Sequence, residues 1–588
     1  MVFNQSKYLQ MKRSLTVLFS ALLISVIAYP QDTDKGRITG NFQSETWIYQ
    51  TDSITGAIKP NEIMGTNSYG NIKYNRGNFE VGVRYEARLN TLQGYPNTNG
   101  MSDGSGISNR YAKYNVDGLE VTLGNFYDQF GSGLTFRAYE EKTIGWDNAM
   151  DGIHLKYNIS NAIILKGMVG KQMNYFQTGS SIIRGVDGEI NLNNLITPMN
   201  ESNFIITTGG SFVSNFQNEV ENTYKLNKNL ANMAGRLNMA YGNFNLSGEY
   251  AYKMMDFMPD YVNNSGVNYY HNGEALLVNL SYSTKGLGVL LSAKRIDNFM
   301  FRSERNATGN DLILNYIPDI SKNHTYSLTA FYPYVTQPLG EFTYSGEVTY
   351  KFKRGSLLGG KYGTLMAVNY FRADGIEKNE IALEDVAGYE TNFFGTDMKY
   401  YHDINVLLSK KISKKLKGQV QYQNIFYNDY VLQGSPSASH DTITANTFVA
   451  DFTYKLARKH TLRFEVQGMF TNMKEVVVKD EAGNIVLDNN NVAITEQRKA
   501  DYGDWLMATI EYNYNPHWYF ALMDMYNYGN SDEKKQVHYP KVSIGYKKNA
   551  NRFELSYGRQ KAGINCTGGI CVYKPAATGL TLSITSTF

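Results

Sequence analysis

The chain ends on Leu580-Thr581-Leu582-Ser583-Ile584-Thr585-Ser586-Thr587-Phe588. Leu580, Leu582, Ile584 and Phe588 fall on one face of an extended strand, and hydroxyl side chains fall on the other. This alternation, ending on an aromatic residue, is typical of the closing strand of a bacterial outer-membrane β-barrel, where one face contacts lipid and the other a polar lumen. An ordinary half-buried strand also alternates, so the interpretation depends on the rest of the chain.

The same alternation recurs in long segments along the chain. Phe79–Glu86, Phe342–Lys353 and Leu462–Gln467 each alternate apolar with polar residues. Strands of soluble proteins average about five or six residues, whereas a tilted membrane strand needs about nine to eleven. The repeated long segments therefore predict an all-β fold, a transmembrane antiparallel β-barrel of the bacterial outer membrane.

Short and long connections between the predicted strands alternate, as in outer-membrane barrels with short periplasmic turns. Both termini on the periplasmic side require an even strand number, and the pattern predicts about 22 strands within a range of about 16 to 22. The uncertain region is 173–230, where Phe204–Phe216 is either a strand or part of a large outer loop. The first predicted strand, Arg37–Tyr49, leaves no room ahead of it for a plug domain.

The amino terminus reads as a secretory leader. Lys12 and Arg13 precede an apolar segment from Leu15 to Ala28, with Met11 as an alternative start. A segment of about fourteen apolar residues suits a signal peptide and is too short to span a bilayer. We predict a signal peptide at residues 1–30 and a single barrel at residues 31–588.

Composition supports export and argues against nucleic acid as a partner. The chain has 46 Tyr and 29 Phe but only 12 Pro, as expected for paired strands with aromatic girdles. Without the three basic residues of the leader, the chain has 54 basic and 54 acidic side chains and is close to neutral. The sequence shows no basic stripe of the kind that binds nucleic acid. The mean hydropathy of −0.40 is compatible with a barrel because lumen-facing residues dilute the lipid-facing ones.

Cys566 and Cys571 are the two cysteines of the chain. In an exported protein this spacing predicts a disulfide that closes a small loop. A metal site is the alternative, but no histidine lies nearby. The remaining residues predict no catalytic, cofactor-binding or metal site, because a Ser-His triad needs adjacent partners and the histidines are scattered.

The most distinctive internal segment is Gly124–Gly152, dense in glycine, aromatic and charged residues. If it folds into the lumen, its charges would shape a constriction; the candidates are Asp128, Arg137, Glu140, Glu141, Asp147 and Asp151. The acids outnumber Arg137 and Lys142, so an inward loop would favour cations. The alternative is a structural loop whose charges pair and hold it against the wall.

Two segments of the chain resemble a known family of proteins. Gly124–Gly152 and Gly558–Pro575 resemble an uncharacterised family of Bacteroidetes outer-membrane β-barrel proteins, a domain of unknown function. The Gly-Asn-Phe-Tyr…Asp-Gly part of the first segment is also loosely similar to porin-like alginate-export barrels. The first resemblance implies an outer-membrane barrel over the whole mature chain, and neither implies catalytic residues.

These observations favour a porin-like passive channel for small polar solutes, with an inward loop near 124–151. The alternative is a structural or assembly component that docks other envelope or secretion proteins, and an outer-membrane enzyme is the third and weakest hypothesis. The expected partners are outer-membrane lipid and, during insertion, the barrel-assembly machinery and periplasmic chaperones. Phe588 is the expected carboxy-terminal assembly signal.

Overall fold

The computed structural model describes residues 35–96, 103–218, 227–259, 268–307, 309–382, 387–433, 442–478, 485–488, 491–567 and 570–588. The predicted signal peptide lies outside these ranges. Within them, none of the helices combines the length and the apolar character that a membrane span requires.

The protein forms one antiparallel β-barrel of 24 strands. The strands are β1 Arg37–Gln50, β2 Met64–Arg76, β3 Phe79–Leu89, β4 Gly104–Val116, β5 Leu119–Phe126, β6 Met150–Ser160, β7 Ile163–Asn174, β8 Ile182–Asn191, β9 Phe204–Phe216, β10 Asn229–Tyr241, β11 Phe244–Pro259, β12 Asn268–Thr284, β13 Leu287–Asp297, β14 Gly340–Phe352, β15 Thr364–Ala382, β16 Ala387–Lys411, β17 Leu416–Asn428, β18 Thr442–Lys455, β19 His460–Thr471, β20 Trp505–Tyr514, β21 Trp518–Tyr526, β22 Lys541–Lys548, β23 Asn551–Gln560 and β24 Ala577–Thr587. Each strand pairs with the next, so the prediction of an all-β antiparallel barrel is confirmed.

The predicted strand number of about 22 is too low, since the barrel has 24. Both β8 and β9 fall within residues 173–230, where the sequence pattern was ambiguous. Arg184 and Gly188 interrupt the apolar row on the outward face of β8, and the apolar Ile183 stands on its lumen face, so the alternation is weak. β9, which is Phe204–Phe216, is a barrel strand rather than part of a loop.

The two faces of the wall are inverted relative to a soluble protein. On β3, Val83 and Tyr85 are 41% and 47% exposed on the outside. Arg84 and Glu86, which alternate with them and face inward, are each 7% exposed. A lipid environment requires an apolar outer face, so the charged side chains face inward. It also requires a closed ring of strands, because closure pairs the backbone groups of every strand with those of its neighbours. The chain is therefore a large β-barrel of the kind found in bacterial outer membranes.

Long connections cluster at one end of the barrel and short ones at the other. The short end holds tight turns such as residues 77–78, 242–243 and 285–286, although residues 192–203 and 353–363 are longer. By the usual arrangement of these barrels the short-turn end, which also holds both strand termini, is periplasmic. We therefore expect the loops at the other end to face outward from the cell.

The barrel closes between β1 and β24. Gln50 pairs with Thr578 at one end of this seam and Asn41 with Thr587 at the other. Beyond the last pair, the Phe588 amide donates to the Gly40 carbonyl (2.9 Å) and the Gly40 amide donates to the Phe588 carbonyl (3.0 Å). Closure leaves no exposed strand edge.

Phe588 should be required for assembly. Its ring covers Gly40 so closely that a side-chain carbon there would clash. We expect Phe588→Asp to reduce the folded barrel in the outer membrane strongly, because a charge would replace an outward aromatic group at the seam. Thr587→Asp, on the lumen face of the same strand, is the matched control. The measurement is the heat-modifiable band in outer-membrane fractions, and normal levels for Phe588→Asp would show the prediction to be wrong.

Candidate functional site

Residues 127–149, which connect β5 and β6, lie inside the barrel. The Ser132 amide donates to the Glu249 carboxylate on β11 (2.7 Å), and the Asn232 amide group on β10 donates to the Leu134 carbonyl (3.1 Å). Leu134 is completely buried. We call residues 127–149 the first loop; it crosses the lumen to a distant part of the wall.

Two glycines permit this path. Gly131 and Gly133 have positive φ angles of 54° and 102°, which other residues rarely adopt. A side-chain carbon on Gly131 would also lie 2.7 Å from the Glu249 carboxylate. The glycines therefore allow both the sharp turn and the close approach to the wall.

Asp128 fastens the start of the first loop to the wall. Its carboxylate lies 2.8 Å from His154 Nε2 on β6 and 2.7 Å from Lys166 Nζ on β7. Burial alone would raise the pKa of Asp128, but the hydrogen bonds from His154 and Lys166 outweigh it and lower the pKa. Asp128 is thus a paired carboxylate and contributes little free negative charge to the lumen.

Glu140 and Asp147 converge on one arginine of β3. Arg84 donates to both carboxylate oxygens of Glu140 (2.9 Å each) and to Asp147 (3.3 Å). The Tyr127 hydroxyl also donates to Asp147. Burial, with the adjacent Glu140 charge adding to it, raises the pKa of Asp147 to about 6. This cluster fixes the second half of the first loop to the wall opposite Glu249.

Arg137 and Glu141 are the two remaining candidates within the first loop. Arg137 is stacked between Tyr139 and Tyr316, 4.0 Å from each ring centroid. Glu141 caps a short 3₁₀ turn by accepting the Thr143 amide and hydroxyl.

Asp151 does not belong to the lumen. It has the parity of Ile153 on β6, which faces outward, and it forms an ion pair with Arg110 (3.0 Å). β6 begins at Met150, so Asp151 already belongs to the strand and takes its face from the alternation along it. Its inclusion among the constriction residues is therefore wrong.

These contacts change the electrostatic argument made from the sequence. The sequence count set the loop acids against Arg137 and Lys142 alone. In the structure, Lys166 of the wall compensates the charge of Asp128, and Arg84 supplies one further positive charge to the Glu140–Asp147 pair. The excess of loop acids therefore no longer supports a cation preference by itself.

A second segment, residues 298–339 between β13 and β14, also lies inside the barrel; we call it the second loop. The Leu328 amide donates to the Gln467 side chain on β19 (2.8 Å), and the Phe331 ring packs 5.1 Å from Trp505 on β20. The alternation of short and long connections in the sequence does not indicate that this segment enters the barrel. The feature of the sequence that indicates an inward path is the aromatic run Phe331-Tyr332-Pro333-Tyr334, because a solvated loop rarely carries so many aromatic residues.

The two loops are joined by backbone and side-chain hydrogen bonds. The Arg137 amide donates to the Leu314 carbonyl (2.8 Å), and the Tyr316 amide donates to the Gly133 carbonyl (2.9 Å). Asn148 of the first loop donates to the Ile313 carbonyl (3.1 Å). Together the loops extend across the lumen from β3 to β20.

A hairpin of residues 563–574, between β23 and β24, lies over both loops. The predicted disulfide between Cys566 and Cys571 is confirmed and closes this hairpin. Asn310 of the second loop donates to the Cys571 carbonyl (2.8 Å), and Lys574 donates to the Thr143 carbonyl of the first loop (3.4 Å). The disulfide therefore stiffens an element that contacts both inward loops.

Three cavities open from the lumen beside the loops. One, of about 380 Å³, lies between Ser132 of the first loop and the wall near Arg236. Another, of about 350 Å³, lies between Asp319 of the second loop and the wall near Asp403.

The third cavity, of about 350 Å³, lies in the sector of β21–β24 and β1, where it separates Phe331 of the second loop from Trp47, Ser556 and Thr581 of the wall. We call it the basic cavity, for the lysines described below. In the described residues, His, Cys, Asp and Glu nowhere form a group of three able to hold a metal ion.

Solved structures with a similar fold are outer-membrane barrels. The siderophore receptor PirA from Pseudomonas aeruginosa is 10% identical, with 95% of this chain and 81% of that chain covered and a TM-score of 0.37. The P pilus usher PapC translocation pore is 9% identical over 94% and 99% of the two chains, with a TM-score of 0.36.

The outer-membrane protein OpdK from Pseudomonas aeruginosa is 10% identical over 71% and 98%, with a TM-score of 0.34. No curated protein matches the chain. A family model matches residues 11–588, and the chain belongs to that family, a family of unknown function called DUF6029.

Proposed function

We propose that the protein is a porin-like passive channel for small polar solutes, narrowed by two inward loops. The observation that carries this proposal is the arrangement of the first and second loops. They cover the part of the lumen that lies next to β3–β20. The part next to β21–β24 and β1 is left uncovered, and the basic cavity lies there. A solute would pass along this one side of the wall.

The physical argument concerns size and polarity. Barrels of about 16 to 18 strands already enclose an aqueous channel, so a wider barrel needs an internal obstruction to discriminate among solutes. Here the obstruction consists of loops fixed to the wall by ion pairs such as Arg84–Glu140 and Lys166–Asp128. A narrow polar passage beside fixed charges selects solutes by size and charge.

The test is single-channel recording of the purified protein in planar bilayers. We expect small, regular conductance steps, well below those of a barrel whose loops have been removed. Heat-modifiable, correctly inserted protein that shows no conductance at any voltage would contradict the channel proposal.

A second candidate function is docking of other envelope proteins, and the strands β15 and β16 favour it. They are 19 and 25 residues long, which exceeds the length that the bilayer requires. In an irregular part of β16, where its pairing with β15 shifts, Phe394 is 77% exposed. In this alternative the joined loops act as a seal. Co-purification of a defined envelope protein that is lost in Phe394→Ser, together with absent conductance, would support it.

A further inference from the structure

The basic cavity differs from the rest of the described lumen in its charge. Basic side chains line it, and none of its described lining residues is Asp or Glu. The lining residues that matter here are Lys541, Arg559, Lys561, Lys574, Trp47 and Phe331. The other two lumen cavities contain carboxylates, for example Glu249 in one and Asp403 in the other.

Two of the four basic groups have partners outside the cavity. Arg559 pairs with Asp52, with Nε 2.7 Å from the carboxylate. Lys574 donates to the Thr143 carbonyl. Lys541 and Lys561, in contrast, have no carboxylate within 4.0 Å in the part of the chain that the structure describes.

Several other lumen cations have a carboxylate partner, whereas the buried Lys253 donates to the Met300 carbonyl instead. Elsewhere in the lumen Lys166 pairs with Asp128, Arg236 with Asp187 and Lys294 with Glu341, each at 2.7 Å. Burying a charge away from bulk water is costly unless an opposite charge compensates it. Lys541 and Lys561 are both half-buried and have no carboxylate partner among the described residues, so an anion in the cavity can compensate their positive charge.

Lys561 is held by aromatic rings rather than by a carboxylate. Its ammonium lies 3.7 Å from the Phe331 ring centroid and 5.6 Å from that of Trp505. Burial lowers the pKa of Lys561 to about 8, and the negative charge of Asp501 acts in the opposite direction. At neutral pH the group is still largely protonated, so it can attract an anion.

We propose that the basic cavity binds a small amphipathic anion, a carboxylate or phosphate ester with an aromatic or aliphatic group. The acidic group is held by Lys541 and Lys561, and the apolar group packs against Trp47 and Phe331. The cavity of about 350 Å³ lies at the lower end of the size of small-molecule sites, which span roughly 300–1,000 Å³. This inference rests on the proposed function in one respect, since it names the solute class for the sector that the loops leave uncovered.

The test is equilibrium dialysis of 4-nitrophenyl phosphate against the purified barrel in neutral detergent at pH 7. The matched probe is (4-nitrobenzyl)trimethylammonium, which has similar size and opposite charge. We expect saturable binding of the phosphate ester and none of the cation. Lys541→Gln and Lys561→Gln should each weaken binding about tenfold or more, the effect of losing roughly 1.4 kcal/mol.

The control variant is Lys322→Gln, which removes the same charge from a lumen lysine that is paired with Glu347. It should bind the phosphate ester like the unaltered protein. Lys541→Arg should retain most of the affinity. Because this variant keeps the positive charge and changes the side-chain shape, it distinguishes the contribution of charge to binding from that of packing. All variants are first checked for heat-modifiable folding.

Equal binding of both probes, or full affinity in the folded Lys541→Gln and Lys561→Gln variants, would overturn the inference. Dialysis requires no ion flux, so the two proposals can fail separately. Selective phosphate-ester binding by a non-conducting barrel would support the site and contradict the channel. Conductance without selective binding would support the channel and contradict the site.

Discussion

Removing both inward loops should convert the narrowed barrel into a wide pore. The variant replaces residues 128–147 and 299–338 with short Gly-Ser linkers and keeps the roots of the strands intact. We expect single-channel conductance to rise several-fold, because a barrel of 24 strands without internal loops encloses a broad aqueous lumen. Either deletion alone should have a smaller effect, since the remaining loop still covers its part of the lumen.

The same deletion should change ion selectivity. Without the first loop, Arg84 and Lys166 lose their carboxylate partners and face the lumen unpaired. We therefore expect the reversal potential in a salt gradient to shift toward anions when residues 128–147 are removed. A shift toward cations would contradict the assignment of these ion pairs.

The control is deletion of residues 532–536, an exposed segment of another outer connection. It should leave both conductance and selectivity unchanged. Unaltered conductance in a folded double-loop deletion would show that the loops do not limit the passage. A silent intact protein that conducts only after the deletion would identify the loops as a seal and favour the docking function.

Replacing one outward residue with arginine should destabilise the barrel, whereas the same change at the next residue should not. Val348 on β14 faces outward and pairs with Val289 and Val368 on the neighbouring strands. Near the middle of the bilayer, an outward arginine costs about 2–4 kcal/mol. If Val348 lies near this midplane, Val348→Arg should lower the free energy of unfolding from lipid vesicles by that amount.

The matched variant is Thr349→Arg, whose side chain enters the polar lumen. It should fold with a free energy of unfolding close to that of the unaltered protein. The measurement is urea-induced unfolding in vesicles, followed by the shift of the heat-modifiable band. Equal effects at the two positions would mean that the assigned faces are wrong.

The sequence alone determined the class of fold, the faces of many strands and the disulfide. Each of these depends on local regularity. Alternation with a period of two residues places Val83 outward and Arg84 inward without reference to any other strand. The pairing of Cys566 with Cys571 needs only a short loop between two neighbours in sequence.

Strand number and the face of Asp151 were decided by the tertiary structure. Arg184 and Gly188 on the outward face of β8 hide the alternation that would have marked it as a strand. For Asp151 the alternation was visible but the strand boundary was not, and only a residue within the strand takes its face from that alternation. Both are settled by pairing with neighbouring strands.

The paths of the two inward loops could not be read from the sequence, because they depend on contacts between remote residues. Ser132 meets Glu249, and Leu328 meets Gln467, only after the barrel has closed. The same is true of the basic cavity, where Lys541 and Lys561 line one space together with Trp47 from the opposite end of the chain. Local residue patterns determine which face of a strand is apolar, but only the closed barrel brings distant side chains together and so decides which charges are paired.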